Sequence, residues 1–283
     1  MRKQIKLNEY EFCAEEFGIG KNVVFIHGSA SDFRTWSNCA KKLSNKFRTI
    51  LYSRRFHWPN EKISSGQDYS MMQHVEDLKC LIKHYTDEPI NLVGHSYGAL
   101  MCLEMACQNP EMVDKMVLIE PPSIRLFVSN TPKPKEIISL LFKRPKTALS
   151  IIKLGAQGLA PATKAAEKGE MNKVLELFGK AVLGKETYGK LTVERKKIVL
   201  ENLIASEFTG SGFLPLIDDK LKKVQMPILL MTGEKSPKVF TYLKNRLDEL
   251  LPNSLHIQVS NASHIIHEDN EKEFIYALNS FFN

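Results

Sequence analysis

The sequence predicts an α/β protein built on a mostly parallel sheet with helices on both faces. Three observations carry this. Short apolar runs alternate with segments of helical periodicity over most of the chain. Several of the runs are apolar at every position, as strands covered on both faces are. One such run, Ile90-Asn91-Leu92-Val93, passes through the tight turn Gly94-His95-Ser96-Tyr97-Gly98 straight into a helix.

The elements follow in chain order. Residues 4–7 and 10–17 predict an antiparallel hairpin turning at Asn8-Glu9. Val23-Val24-Phe25-Ile26 is a continuous apolar strand, and residues 48–53 form another. Met72, Val75, Leu78, Leu81 and Ile82 recur at helical spacing between Met71 and Tyr85. The helix after the glycine turn stops at Asn109-Pro110. Residues 116–119, 227–232 and 255–259 complete the strands, and a helix over about 270–282 ends the chain.

The stretch 123–223 breaks the alternation. It has helical spacing and no convincing strand, as in Ile137-Ile138, Leu140-Leu141, Val174-Leu175 and Leu177-Phe178. The expected organisation is a core of residues 1–122 and 224–283 with an all-helical insertion over 123–223. The insertion enters after Pro121-Pro122 and leaves before Pro227.

Bulk properties narrow the class. A chain of 283 residues fits one sizeable α/β domain with an insertion. The net charge is +7, and residues 131–223 hold 18 Lys and Arg against 10 Asp and Glu. The remainder is near neutral. These lysines fall at helical surface spacing without an Arg-aromatic cluster, so a solvated face is expected rather than a nucleic-acid site; docking to an anionic partner is the alternative. No run of about 18 apolar residues suggests a membrane span, and the first eight residues lack the apolar stretch of a secretory signal. Five cysteines without metal-like spacing fit reduced thiols. The expectation is a cytoplasmic monomer or homodimer acting on a small molecule, with no nucleic-acid partner and no membrane insertion.

The glycine turn supplies the chemistry. A G-x-S-x-G between strand and helix strains the serine and lifts its hydroxyl clear of the sheet. Ser96 is therefore the candidate nucleophile. A serine hydroxyl needs a base and an oxyanion site. His264, in the loop between the last strand and the terminal helix, is the candidate base, with His267 as its rival. The Tyr97 N–H at the helix start and the Ser29 N–H in His27-Gly28-Ser29-Ala30 are the candidate oxyanion donors. His27 has a loop-shaping role in this reading and His95 packs behind the nucleophile.

In this order of motifs the chain resembles the α/β-hydrolase superfamily. The resemblance rests on Phe25-Ile26-His27-Gly28-Ser29-Ala30, Tyr52-Ser53-Arg54-Arg55-Phe56, Val93-Gly94-His95-Ser96-Tyr97-Gly98, Leu229-Leu230-Met231-Thr232-Gly233-Glu234 and Ser263-His264-Ile265-Ile266-His267-Glu268. It implies a Ser-His-acid triad, a helical cap over the pocket and no cofactor; no carboxylate or histidine cluster has metal spacing, so no metal is expected. The acid departs from the commonest pattern. Where many relatives carry Gly-x-x-Asp, this chain has Gly233-Glu234-Lys235-Ser236. Glu120, at the end of Val117-Leu118-Ile119, is the preferred acid, in a position resembling that used by haloalkane dehalogenases; Glu234 is the alternative. Leu126, Phe127, Leu140, Phe142 and Phe178 are the expected pocket walls from the cap, and His57 and Trp58 the expected contacts from the core. The activity implied is hydrolysis of a small to medium carboxylic ester or lactone. The alternatives are cleavage of an amide, thioester or carbon–carbon bond, or ligand binding without catalysis.

Overall fold

In the computed structural model, which describes residues 2–283, the alternation becomes one eight-stranded sheet. β1 (Arg2–Leu7) and β2 (Tyr10–Phe17) form the antiparallel hairpin, turning at Asn8 and Glu9, both at positive φ. β3 (Lys21–Ile26), β4 (Phe47–Tyr52), β5 (Ile90–His95), β6 (Val113–Ile119), β7 (Ile228–Gly233) and β8 (Ser254–Val259) follow. The spatial order is β1-β2-β4-β3-β5-β6-β7-β8. β2 runs antiparallel to β4, and every pairing from β4 to β8 is parallel.

The helices are α1 (Ser37–Leu43), α2 (Met71–Tyr85), α3 (Tyr97–Gln108), α4 (Pro134–Lys143), α5 (Pro145–Leu154), α6 (Ala160–Glu167) and α7 (Met171–Leu183). They continue with α8 (Lys185–Lys190), α9 (Val193–Glu201), α10 (Ala205–Thr209), α11 (Asp218–Leu221), α12 (Lys238–Leu250), α13 (Ile266–Asp269) and α14 (Glu271–Phe282). None is long and apolar enough to cross a membrane among the described residues.

The uninterrupted apolar strands are explained by burial on both faces. Val24, Ile26, Leu92, Leu118 and Leu230 belong to a core with α2 and α3. Their neighbours Val23, Phe25, Val93, Val117 and Ile119 belong to a second core with α1 and α14. Successive side chains point to opposite faces, so one sheet feeds both cores. Helices α1 and α12 are elements the sequence reading passes over. In α12, Val239, Phe240, Leu243, Leu247 and Leu250 give a helical stripe that is all buried.

Residues 123–223 lie between β6 and β7, hold α4 to α11 and contain no strand. They meet the rest of the chain through apolar contacts: Ile204 and Leu221, with Phe213, Leu214 and Leu216, join the core that holds α2 and α3. Val128, Ile151 and Leu154 pack with Val239, Phe240 and Leu243 of α12. Ala162, Val174 and Leu175 pack with Ala30 beside β3.

Candidate active site

The carboxyl ends of the parallel strands place the groups of interest together, as open α/β sheets do. β5 runs into Ser96, which sits at φ +51° and ψ −115°, and α3 begins at the next residue. The turn leaves no room for larger neighbours. A Cβ on Gly94 would lie 2.6 Å from the Gly98 carbonyl oxygen, and one on Gly98 would lie 2.4 Å from the Ile26 carbonyl oxygen. The Ser96 N–H is anchored to the Ile119 carbonyl of β6 at 2.8 Å. Its side chain lines a narrow cavity of about 70 Å³ together with His264.

His264 lies beyond β8 and is almost wholly buried. Its Nδ1 is 2.6 Å from Glu120 Oε2. The other Glu120 oxygen accepts the Gly233 N–H at 2.8 Å. Phe240 stacks on the imidazole, with ring centroids 4.3 Å apart, and the His264 carbonyl accepts a bond from His95 Nε2 at 2.9 Å. The ring is thus fixed on its face, its edge and its backbone. With Nδ1–H donated to a carboxylate, Nε2 is left to act as acceptor. Ser96 and His264 do not hydrogen-bond to each other here, a contact that commonly tightens only with substrate.

Glu120 reaches His264 because its backbone is strained. It sits at φ +44°, with its N–H held by the Met231 carbonyl at 3.1 Å. Non-glycine residues in that region are uncommon, and functional sites hold a large share of them. Glu234 is exposed and accepts the Asn261 N–H at 2.8 Å, shaping the loop before His264 rather than touching the imidazole. Ser236, where many relatives carry the acid, is buried and its hydroxyl makes no hydrogen bond.

Two further histidines near the site, His27 and His267, are held below the ordinary histidine pKa. His27 accepts the Arg54 N–H at Nε2, 2.8 Å, and donates Nδ1–H to the Gly28 carbonyl, 2.9 Å. Burial and then the Arg54 charge hold its pKa well below the ordinary value, so it shapes its loop. His267 lines the cavity but stacks on Trp36 at 4.2 Å and bonds Thr35 Oγ1 through Nε2 at 2.7 Å. Burial lowers its pKa to about 4.

Ser29 lines the cavity, and Gly28 presses against the nucleophile: a Cβ there would lie 3.1 Å from Ser96 Cβ. The backbone N–H groups of Ser29 and Tyr97 have no acceptor among the described residues. Tyr97 opens α3, so its N–H is one of the groups a helix leaves unpaired at its start. Among the described residues, no group of three or more His, Cys, Asp or Glu is placed to hold a metal ion.

The expected substrate contacts need correction. Of the walls read from the sequence, Phe178 lines the cavity. Leu126, Phe127 and Leu140 line a separate cleft with Lys143 and Arg246. Phe142 points to solvent at 85% exposure. His57 is wholly buried, donating to the Ser31 carbonyl and accepting from the Tyr69 hydroxyl, each at 2.8 Å. Trp58 packs under the Arg34 guanidinium, 3.7 Å from its centroid, and gives its N–H to Asn202. These misplacements have one cause. Apolarity marks a residue for burial without saying which buried surface it joins. The observed apolar wall is Leu175, Phe178, Val182, Leu183, Leu191 and Val199. Residues 175, 178 and 182 sit at the spacing of one helix face, a stripe visible in the sequence. Arg195 at the cavity had no such signal; it is held bidentate by Glu268 at 2.6 and 2.9 Å.

Comparison with known proteins agrees with this fold. A family described as alpha/beta hydrolase fold matches residues 21–147. YraK of Bacillus subtilis, an uncharacterised hydrolase, is 28% identical over 119 residues, 42% of this chain and 44% of that protein. The match thus spans less than half of its length. The 2-(acetamidomethylene)succinate hydrolase of Mesorhizobium japonicum is 23% identical over 99% of this chain and 94% of its own. Among solved structures, the carboxylesterase CesB of Bacillus subtilis superposes with a TM-score of 0.70 at 19% identity, covering all of this chain and 91% of that one.

Proposed function

We propose that this chain, which has the α/β-hydrolase fold, is a serine hydrolase that cleaves a small to medium carboxylic ester or lactone through an acyl-serine intermediate. The observation that carries this is the 2.6 Å contact from His264 Nδ1 to Glu120, on the cavity that also holds strained Ser96. A carboxylate, an imidazole and a strained serine meeting from β5, β6 and the loop after β8 have a known chemical use.

The steps follow from the geometry. Ser96 Oγ attacks the substrate carbonyl carbon while His264 Nε2 takes its proton. Glu120 holds Nδ1–H and stabilises the imidazolium that forms. The N–H groups of Ser29 and Tyr97 receive the negative oxygen of the tetrahedral intermediate. The intermediate collapses, the C–O bond to the alcohol breaks, and the alcohol leaves with the proton from His264. A water then attacks the acyl carbon while His264 takes its proton; the second tetrahedral intermediate collapses, the acyl C–O bond to Ser96 Oγ breaks, and His264 returns the proton to Oγ as the acid leaves. Residues 123–223 act as a cap, and their apolar wall takes the apolar part of the substrate.

The test is covalent labelling with a fluorophosphonate, together with hydrolysis of p-nitrophenyl esters of graded acyl length. Labelling at Ser96 and turnover are expected, both lost in Ser96→Ala. A protein that neither labels nor turns over any ester is a binding protein or cuts another bond. The full-length relative named for hydrolysing 2-(acetamidomethylene)succinate is a reason to include amide substrates in the panel.

A further inference from the structure

Arg54 lies two residues beyond β4, at the carboxyl edge of the sheet, and its side chain has no exposure. A fully buried cation requires partners, and it has an unusual set. Its Nη2 donates to the Gly28 carbonyl at 3.1 Å and to Glu207 Oε1 of α10 at 3.1 Å. The guanidinium lies 4.3 Å from the centroid of the Tyr97 ring. One side chain therefore touches the loop of one proposed oxyanion donor, the residue carrying the other, and the helical segment.

The Gly28 contact bears on chemistry through peptide planarity. The Gly28 carbonyl and the Ser29 N–H belong to one trans peptide, so they point in opposite directions in one plane. Fixing the carbonyl aims the N–H. Two donors hold that carbonyl, the charged Arg54 and the neutral His27. A charge-assisted bond on the carbonyl also polarises the peptide and makes its N–H a stronger donor.

Stability alone accounts poorly for this arrangement. Buried ion pairs are often no more stabilising than apolar residues of similar size. This pair is also incompletely satisfied, since Arg54 Nε and Glu207 Oε2 make no hydrogen bond.

We propose that Arg54 is the positioning residue of the oxyanion site, setting the Ser29 N–H through the Gly28 carbonyl, and that its pair with Glu207 ties that site to the helical segment. The proposal rests on the serine-hydrolase function above. The test compares wild type with Arg54→Gln, Arg54→Lys and Glu207→Gln. The readouts are kcat and KM on a p-nitrophenyl ester and the inhibition constant of phenylboronic acid, whose adduct with Ser96 places an oxygen at the oxyanion site. Arg54→Gln lowers kcat by about 10- to 100-fold, a fraction of what losing an oxyanion donor costs. KM changes by less than about threefold, as for an interaction made only in the transition state. Boronate binding weakens by the same factor as kcat. Arg54→Lys recovers part of both, and Glu207→Gln shows a smaller loss of both.

An unchanged kcat, or a lower kcat with boronate affinity retained, overturns the proposal and leaves Arg54 structural. If Arg54→Gln does not fold, Glu207→Gln decides on the same two readouts: parallel losses support the proposal and unequal ones overturn it. Wild type without labelling or turnover is a different result, since it removes the hydrolase function itself.

Discussion

The carboxyl edge of the sheet and the helical segment above it are held by different physics. At the sheet edge, Ser96, Glu120 and His264 are fixed by backbone bonds between strands and by rings packed on rings. The α9 and α10 region adds charge clips to its apolar contacts: Arg195 to Glu268 at 2.6 Å, Glu201 to Arg34 at 2.9 Å and Glu207 to Arg54 at 3.1 Å. Asn202 adds a bond to Asp32 at 2.6 Å. The difference teaches which part tolerates change. Reacting groups lose rate with small displacements, whereas water competes with the partly exposed Arg195–Glu268 and Arg34–Glu201 pairs and makes those two cheap to break.

The largest effect should come from two carboxylates only one strand apart. Glu120→Gln keeps the shape but removes the charge from His264, and kcat should fall by about 10³- to 10⁴-fold, as when a triad acid is neutralised. Glu234→Gln should leave kcat within about threefold, because its carboxylate serves the Asn261 turn. Steady-state kinetics on one ester decides between them, and equal losses would erase the distinction between the two strand ends.

Acid should separate the regions next. All eight histidines lie outside residues 123–223. Burial, with the Arg54 charge second, holds the pKa values of His27, His57 and His74 well below ordinary. Burial does the same for His95 and takes His267 to about 4. The unfolded chain binds these protons near pH 6.5, the folded one only at lower pH, so stability falls as pH drops through that window. It is fully present above about pH 6.5. His267 alone contributes about 3 kcal/mol to the loss by about pH 4. Denaturant midpoints between pH 8 and 5 should show the decline, and His267→Gln should flatten part of it. A midpoint independent of pH would mean that protons reach these rings in the folded state.

The smallest effect belongs to the clip at the cavity. Arg195→Ala should change stability by about 1 kcal/mol or less, since both partners are partly exposed. Its effect should fall on KM, by several-fold, with kcat nearly kept. A kcat loss as large as that of Glu120→Gln would place Arg195 among the reacting groups.

Much of the site was legible in the sequence because its signals are local. Gly94 and Gly98 announce a turn too tight for a Cβ, and the strand and helix beside them are readable from periodicity. The position of Glu120 after an apolar run marked it as a carboxylate needing a partner. Phe142, Phe127, His57 and Trp58 were misplaced because a residue's polarity does not name its neighbours. Arg54 stood in a segment quoted for its resemblance, yet its bonds to Gly28 and Glu207 span 26 and 153 residues.

The sequence by itself determined the strands, the elbow turn and the presence of a histidine in the loop after the last strand, since each is written in residues adjacent in the chain. Only the tertiary structure shows that Glu120, and not Glu234, touches His264. Both follow parallel strands, and the choice turns on a backbone angle of +44° at Glu120 that aims its carboxylate at an imidazole 144 residues away. The tertiary structure also chose the face of α7 that walls the cavity, because a helix stripe specifies burial and only packing specifies against what.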